Sequence, residues 1–194
     1  IARKRLQHFK GEGTRAVAIA VYGNRDYDDA LLELSDILSE NGFQVLSAGA
    51  FIAQHSIFPK VGIHRPDAED FHLMNVFADE TKKILGKDAT KLLPIHIRGN
   101  RPYKIPGSIS IYPSGTNSCK ECGKCATLCP VQAIPKKQPK IVDETKCIKC
   151  GRCIVVCPTQ SRKFQGMAYT MASMKFNMAY KERREPDMFF ARYN

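Results

Sequence analysis

The feature that most constrains this chain is the placement of its eight cysteines, all of which lie between Cys119 and Cys157. One run reads Cys119-Lys120-Glu121-Cys122-Gly123-Lys124-Cys125-Ala126-Thr127-Leu128-Cys129-Pro130, and the other Cys147-Ile148-Lys149-Cys150-Gly151-Arg152-Cys153-Ile154-Val155-Val156-Cys157-Pro158. Both spell C-x2-C-x2-C-x3-C-P, and each cysteine of the second run lies 28 residues after its counterpart. Gly123/Gly151 and Lys124/Arg152 repeat as well, so the segment is an internal duplication. A stretch this short has little apolar core, and groups that bind several cysteines at once would hold it compact.

Three chemistries use cysteines in numbers. Disulfides require an oxidising compartment, for which the sequence carries no sign. Four-cysteine zinc sites normally draw on two C-x2-C knuckles, not on runs of four. Iron–sulfur cubes suit the spacing: thiolates at i, i+3 and i+6 of a looping backbone each reach a different iron, and the fourth, carried away by the x3 gap, serves the neighbouring cube. The expected sets are Cys119, Cys122, Cys125 and Cys157 for one [4Fe-4S] cluster, and Cys147, Cys150, Cys153 and Cys129 for the other. Gly123 and Gly151 would let the backbone turn closely past the sulfides, and Pro130 and Pro158 would direct the chain away from the fourth ligand. Residues 134–142, rich in proline and lysine between β-branched residues, read as a small hairpin.

The first hundred residues follow different rules. Ala16 to Tyr22 is a continuous apolar run, as in a strand buried on both faces, and it ends in the turn formers Gly23-Asn24-Arg25-Asp26-Tyr27. Ala30, Leu31, Leu34, Ile37 and Leu38 recur at helical spacing, with Asn41-Gly42 as the stop, and residues 43–50 give a second strand. Together these make a strand–helix–strand unit with parallel strands. Asp67 caps a further helix with Phe71, Met74, Phe77, Ala78, Thr81, Ile84 and Leu85 on one side. Residues 87–113, with Pro94, Pro102, Pro106 and Pro113, read as a linker. Met167, Met171, Met174 and Met178 form a helical stripe that reads as a packing face.

No apolar stretch approaches the ~20 residues of a membrane span, and the first residues lack the apolar core of a secretory signal. A cytoplasmic location is therefore expected, without a membrane partner. Thirty basic residues against nineteen acidic ones give a net charge of +11. That field suits an acidic redox partner protein as well as a plain solvated surface. The basic residues are scattered and no nucleic-acid motif accompanies them, so no nucleic-acid partner is expected. Oligomeric state has no signature here.

Residues 21–34 and 48–56, taken with the cysteine runs and the closing Arg183-Arg184-Glu185-Pro186-Asp187, resemble single-chain flavodoxin–ferredoxin fusions. The resemblance implies an α/β fold: part of a flavodoxin-like doubly wound parallel sheet over residues 1–110, then a small α+β bacterial-type two-cluster ferredoxin domain over 111–165, then a C-terminal helix and tail over 166–194. It implies one-electron relay through two [4Fe-4S] clusters coupled to FMN, with Gly23, Asn24, Arg25, Asp26 and Tyr27 against the flavin and Tyr27 stacked on its ring. A flavin-dependent oxidoreductase with the clusters as internal wire is the competing expectation. The flavodoxin phosphate loop and first three strands have no counterpart in these residues, so only the C-terminal portion of that domain is expected. His55 lies in the matching Ala53–Ser56 segment and reads as a hydrogen-bonded loop histidine.

Overall fold

The structure is a computed structural model that describes residues 2–105, 107 and 109–194; Pro106, expected in the linker, lies outside them. In chain order the elements are helix α1 (Ala2–Leu6), strand β1 (Arg15–Tyr22), helix α2 (Ala30–Glu40), strand β2 (Gln44–Ile52), helix α3 (Ala68–Leu85) and a 3-10 turn (Ala89–Lys91). Strand β3 (Pro113–Gly115), the one-turn helices α4 (Lys124–Thr127) and α5 (Arg152–Val155), strand β4 (Arg162–Phe164), helix α6 (Met167–Ala179) and strand β5 (Asp187–Phe190) follow. The chain divides into two compact units. One comprises Ile1–His55, Gly62–Pro106 and Glu182–Asn194, and the other Ser56–Val61 and Gly107–Lys181.

The first unit is built on a three-stranded sheet of order β1-β2-β5. β1 and β2 run parallel, as a helical crossover requires, and β5 joins the far side of β2 antiparallel. A mixed sheet of three strands is what the fold contains; the doubly wound parallel sheet is not formed by these residues. β2, paired on both edges, is buried along nearly its whole length. Val17, Ile19 and Val21, alternate residues that share one face of β1, are exposed, against the expectation of burial on both faces. The core joins Ala18, Leu31, Leu32, Val45, Ala48 and Ala50 to Tyr27 and Ile97.

Asp67 caps α3 as expected: its Oδ1 accepts from the Asp70 N–H (3.1 Å), and Asp70 Oδ2 accepts from the Asp67 N–H (2.8 Å). The buried face, however, is Asp70, Phe77 and Ile84, while Phe71 and Leu85 point to solvent. Asp70 is fully buried because it forms a two-point ion pair with the buried Arg65 guanidinium. Arg65 also donates to the Arg184 carbonyl (3.1 Å), and Arg183 donates to Asp67 (2.6 Å), so the 182–185 segment is held against the start of α3.

Residues 92–104 are no loose linker. Asp29 accepts from the Asn100 and Lys104 backbone N–H groups (2.8 and 2.7 Å), and Asp36 accepts from Arg101 and Tyr103. Gly99 lies so close to α2 that a Cβ there would stand 2.8 Å from Leu32 Cδ2.

In the second unit, β3 and β4 pair antiparallel, Pro113 with Phe164 and Gly115 with Arg162. The expected hairpin over 134–142 is absent. Two successive turns, Gln138 N–H to Pro135 O and Ile141 N–H to Gln138 O, fill it, because prolines at 135 and 139 cannot donate to a ladder. The segment is closed by Asp143 N–H to Ala133 O at 2.7 Å. On α6 the packing face is aromatic: Tyr169 and Phe176 meet Phe58, at 5.8 and 4.5 Å between ring centroids. The methionine stripe faces solvent instead, Met167 being 81% exposed.

Candidate metal centre

The duplication seen in the sequence is repeated in the backbone. Gly123 and Gly151 both have φ of 73°, and each precedes a one-turn helix, α4 or α5. Glu121 and Lys149, two residues earlier, also have positive φ (53° and 57°), as do Gln132 and Gln160, three residues past the fourth cysteines (52° and 49°). Left-handed residues alternating with ordinary ones around C-x2-C turn successive N–H groups toward one side, the concave arrangement that attracts anions.

This folding gathers the cysteines into two groups. One cavity is lined by Cys119, Cys122 and Cys125 of the first run and Cys157 of the second, with Pro139, Thr159, Ser161 and Arg162 among its neighbours. The other is lined by Cys147, Cys150 and Cys153 of the second run and Cys129 of the first, between Pro113, Ala133, Ile134, Val142 and Ile148. Each cavity thus meets three cysteines of one run and the last of the other. Cys122 and Cys150 are exposed and the remaining six are half-buried.

The thiols are not equivalent. Burial pushes Cys125 and Cys153 up, against a lowering influence of the Arg162 guanidinium on each. Burial also acts upward on Cys157, but hydrogen bonds from the Ser161 and Thr159 hydroxyls (3.3 and 3.6 Å) and from backbone N–H groups outweigh it and bring that thiol down to about 6. A thiol so placed is a ready thiolate donor. Cys129 accepts the Ala133 N–H at 3.3 Å. Each cavity offers four sulfur donors, the set that an iron–sulfur cube takes with one thiolate to each iron.

Residues 140–163 match the model of the 4Fe-4S binding domain. The match contains Cys147, Cys150, Cys153 and Cys157. This match and the eight cysteines together point to iron–sulfur electron transfer. The first run lies outside the matched stretch and has the same spacing. No curated protein matches the chain.

Sequence reasoning passed over Ser161, Thr159 and Arg162. The signal available was slight: polar residues two, four and five positions past Cys157, in a stretch that gives no helical or strand period.

The Gly23–Tyr27 loop follows β1 at the carboxyl end of the parallel strand pair, beside His55, whose Cδ2 stands 2.6 Å from where a Cβ on Gly23 would be. Burial, then the charge of Arg25, holds the His55 pKa below its ordinary value. The loop's side chains are bonded within their own unit. Asn24 is buried, donating to Glu182 O (2.8 Å) and accepting from Arg184 N–H (3.1 Å). Arg25 pairs with Asp28, and Asp26 accepts from Arg98 at 3.1 Å. Tyr27, expected to present its ring to a flavin, is only 5% exposed. Its hydroxyl donates to Asp187 (2.7 Å) and accepts from Arg98 (3.1 Å), whose guanidinium lies 4.6 Å from the ring centroid. A ring this enclosed is part of the core and is not offered for stacking. Among the described residues, no helix is long and apolar enough to cross a membrane.

Proposed function

We propose that this chain is a one-electron carrier holding two [4Fe-4S] clusters, one on Cys119, Cys122, Cys125 and Cys157 and the other on Cys147, Cys150, Cys153 and Cys129. The observation that carries the reading is the make-up of the two cavities, each lined by three cysteines of one run and the fourth of the other. When bound, such clusters accept and release single electrons at potentials set by charge, hydrogen bonds and solvent access. The protein contributes the thiolates, the turns at Gly123 and Gly151, and the hydroxyls of Thr159 and Ser161 beside Cys157. Exposed Cys122 and Cys150 give each cavity a solvent-near edge through which electrons pass to a docked protein. The net charge of +11 favours an acidic partner and a salt-sensitive encounter. A reducing compartment such as the cytoplasm suits eight free thiols.

The flavodoxin resemblance and FMN belong to the finer part of this proposal. What supports them is the position of the Gly23–Tyr27 loop at the carboxyl end of a parallel strand pair, where open α/β sheets take their ligands. Tyr27 drops out as the stacking group, since its ring is enclosed. Because these residues offer no phosphate loop, fluorescence titration should show weak or no FMN binding by residues 1–194 and clear binding by a chain extended upstream to include one; no binding by either would leave the loop a purely structural turn.

The test of the ligand sets is Cys129→Ala in anaerobically isolated protein. The expected result is loss of the cluster held by Cys147, Cys150 and Cys153, with the other retained, read by iron content and by the electron paramagnetic resonance spectrum of the reduced protein. Loss of the cluster held by Cys119, Cys122 and Cys125 instead would refute the crosswise assignment.

A further inference from the structure

Arg162 is 2% exposed, in the middle of the cysteine-rich unit. Its terminal nitrogens donate to three backbone carbonyls: Nη1 to Pro139, and Nη2 to Pro113 (2.9 Å) and Ile141 (3.1 Å). These contacts fix the guanidinium in place without neutralising it. Its Nε is buried and has no hydrogen-bond partner of ordinary geometry. Two acids near the cysteines are engaged elsewhere, Glu121 with Lys140 and Asp143 with Lys146. A guanidinium cannot shed its proton, and a buried charge without a counter-charge is costly. A negative group beside it would offset that cost.

The candidates for that counter-charge are the cysteine sulfurs. Arg162 lines the cavity of Cys119, Cys122, Cys125 and Cys157. One fixed positive charge thus stands at that group of thiols. When four thiolates bind a cube the assembly is anionic, and reduction adds a further negative charge.

We propose that Arg162 is the counter-charge of the cluster held by Cys119, Cys122, Cys125 and Cys157: its fixed, buried guanidinium favours the reduced form of that cluster. The proposal rests on the cluster assignment above. It also ranks the basic residues of the unit. Lys120, Lys124 and Arg152 lie beside ligands but are exposed, so water and salt screen them. Arg162, buried, acts through a lower local dielectric and outweighs them.

The test is a redox titration of wild-type, Arg162→Gln, Arg162→Lys and Arg152→Gln protein, with dithionite as reductant and electron paramagnetic resonance as readout, after iron and sulfide analysis of each. In Arg162→Gln the equilibrium constant for reducing the cluster on Cys119, Cys122, Cys125 and Cys157 should fall about tenfold or more, which is about 59 mV for one electron. In Arg162→Lys, which keeps the charge, and in Arg152→Gln it should change by less than about threefold. Unchanged midpoints in Arg162→Gln with both clusters intact would overturn the inference and leave the carrier reading standing. A shift in Arg162→Lys as large as in Arg162→Gln would overturn it too, since packing and not charge would then set the potential. Wild-type protein without iron and sulfide would overturn the carrier reading and this inference together. Should Arg162→Gln not assemble its clusters, protein grown on 15N-arginine decides: a 15N hyperfine coupling on the reduced-cluster signal, absent in Arg162→Lys, supports the contact, and no coupling in wild-type protein refutes it.

Discussion

Asp70 shows how one residue organises the first unit. It is fully buried inside an amphipathic helix because Arg65 meets both its oxygens and the Asp67 N–H adds a third bond. Replacing it with asparagine would strand the Arg65 charge in the interior, and the expected cost is about 3–5 kcal/mol in denaturant unfolding. A cost under about 1 kcal/mol would mean that water reaches Arg65 in the variant. Tyr27 makes a pH-dependent contribution. Burial is the main reason its pKa is pushed up to about 12, with Asp187 acting in the same direction and Arg98 against it. The folded protein therefore holds this proton more tightly than the unfolded chain, whose tyrosines titrate near about 10. Stability from this group is fully present below pH ~10 and is lost as pH rises toward ~12. Tyr27→Phe should flatten that part of the stability profile, and an unchanged alkaline slope would show that other groups control it. Neither role was legible in the sequence: Asp70 looks like an ordinary first-turn acid, and the partners of Tyr27 come from residues 98 and 187.

Among the elements, those set by local pattern were readable and those set by distant partners were not. β1, α2, β2 and the capped start of α3 follow from apolar periodicity and punctuation within a few residues. β5 was missed because its four residues pair with β2, far away in sequence, inside a tail that looks polar. The three-residue strands β3 and β4 are likewise too short to show a period. The methionine stripe of α6 has the right spacing for a buried face, yet Phe58, Phe164, Tyr169 and Phe176 supply the packing. The cysteine loops were the most legible element, because the spacing that binds a cube also dictates the turns. Their glycines allow a clean prediction. Gly123 has φ of 73°, so Gly123→Ala meets the left-handed backbone penalty of about 1–2 kcal/mol. The variant should still bind both clusters but release iron from the Cys119 side faster on chelator challenge. Equal release from both sides would mean that the turn does not control its own cavity.

At the scale of the molecule, a mixed α/β unit and a cysteine-rich unit share one chain, and the chain passes between them more than once. Segment 166–194, expected as one C-terminal helix and tail, is divided between them: α6 belongs with the cysteine-rich unit, and residues 182–194 complete the first unit through β5. The cysteine-rich unit has a modest apolar cluster around Phe58, Val61, Ile111 and Phe164. Two cysteine-lined cavities lie in the same unit, so bound clusters would serve it as cross-links. The most direct measurement is therefore the iron, acid-labile sulfide and zinc content of the anaerobically isolated chain, per polypeptide. Two [4Fe-4S] clusters require about eight irons and about eight sulfides. A content of about four of each would leave one cysteine group without a cluster, and stoichiometric zinc without sulfide would contradict the account altogether.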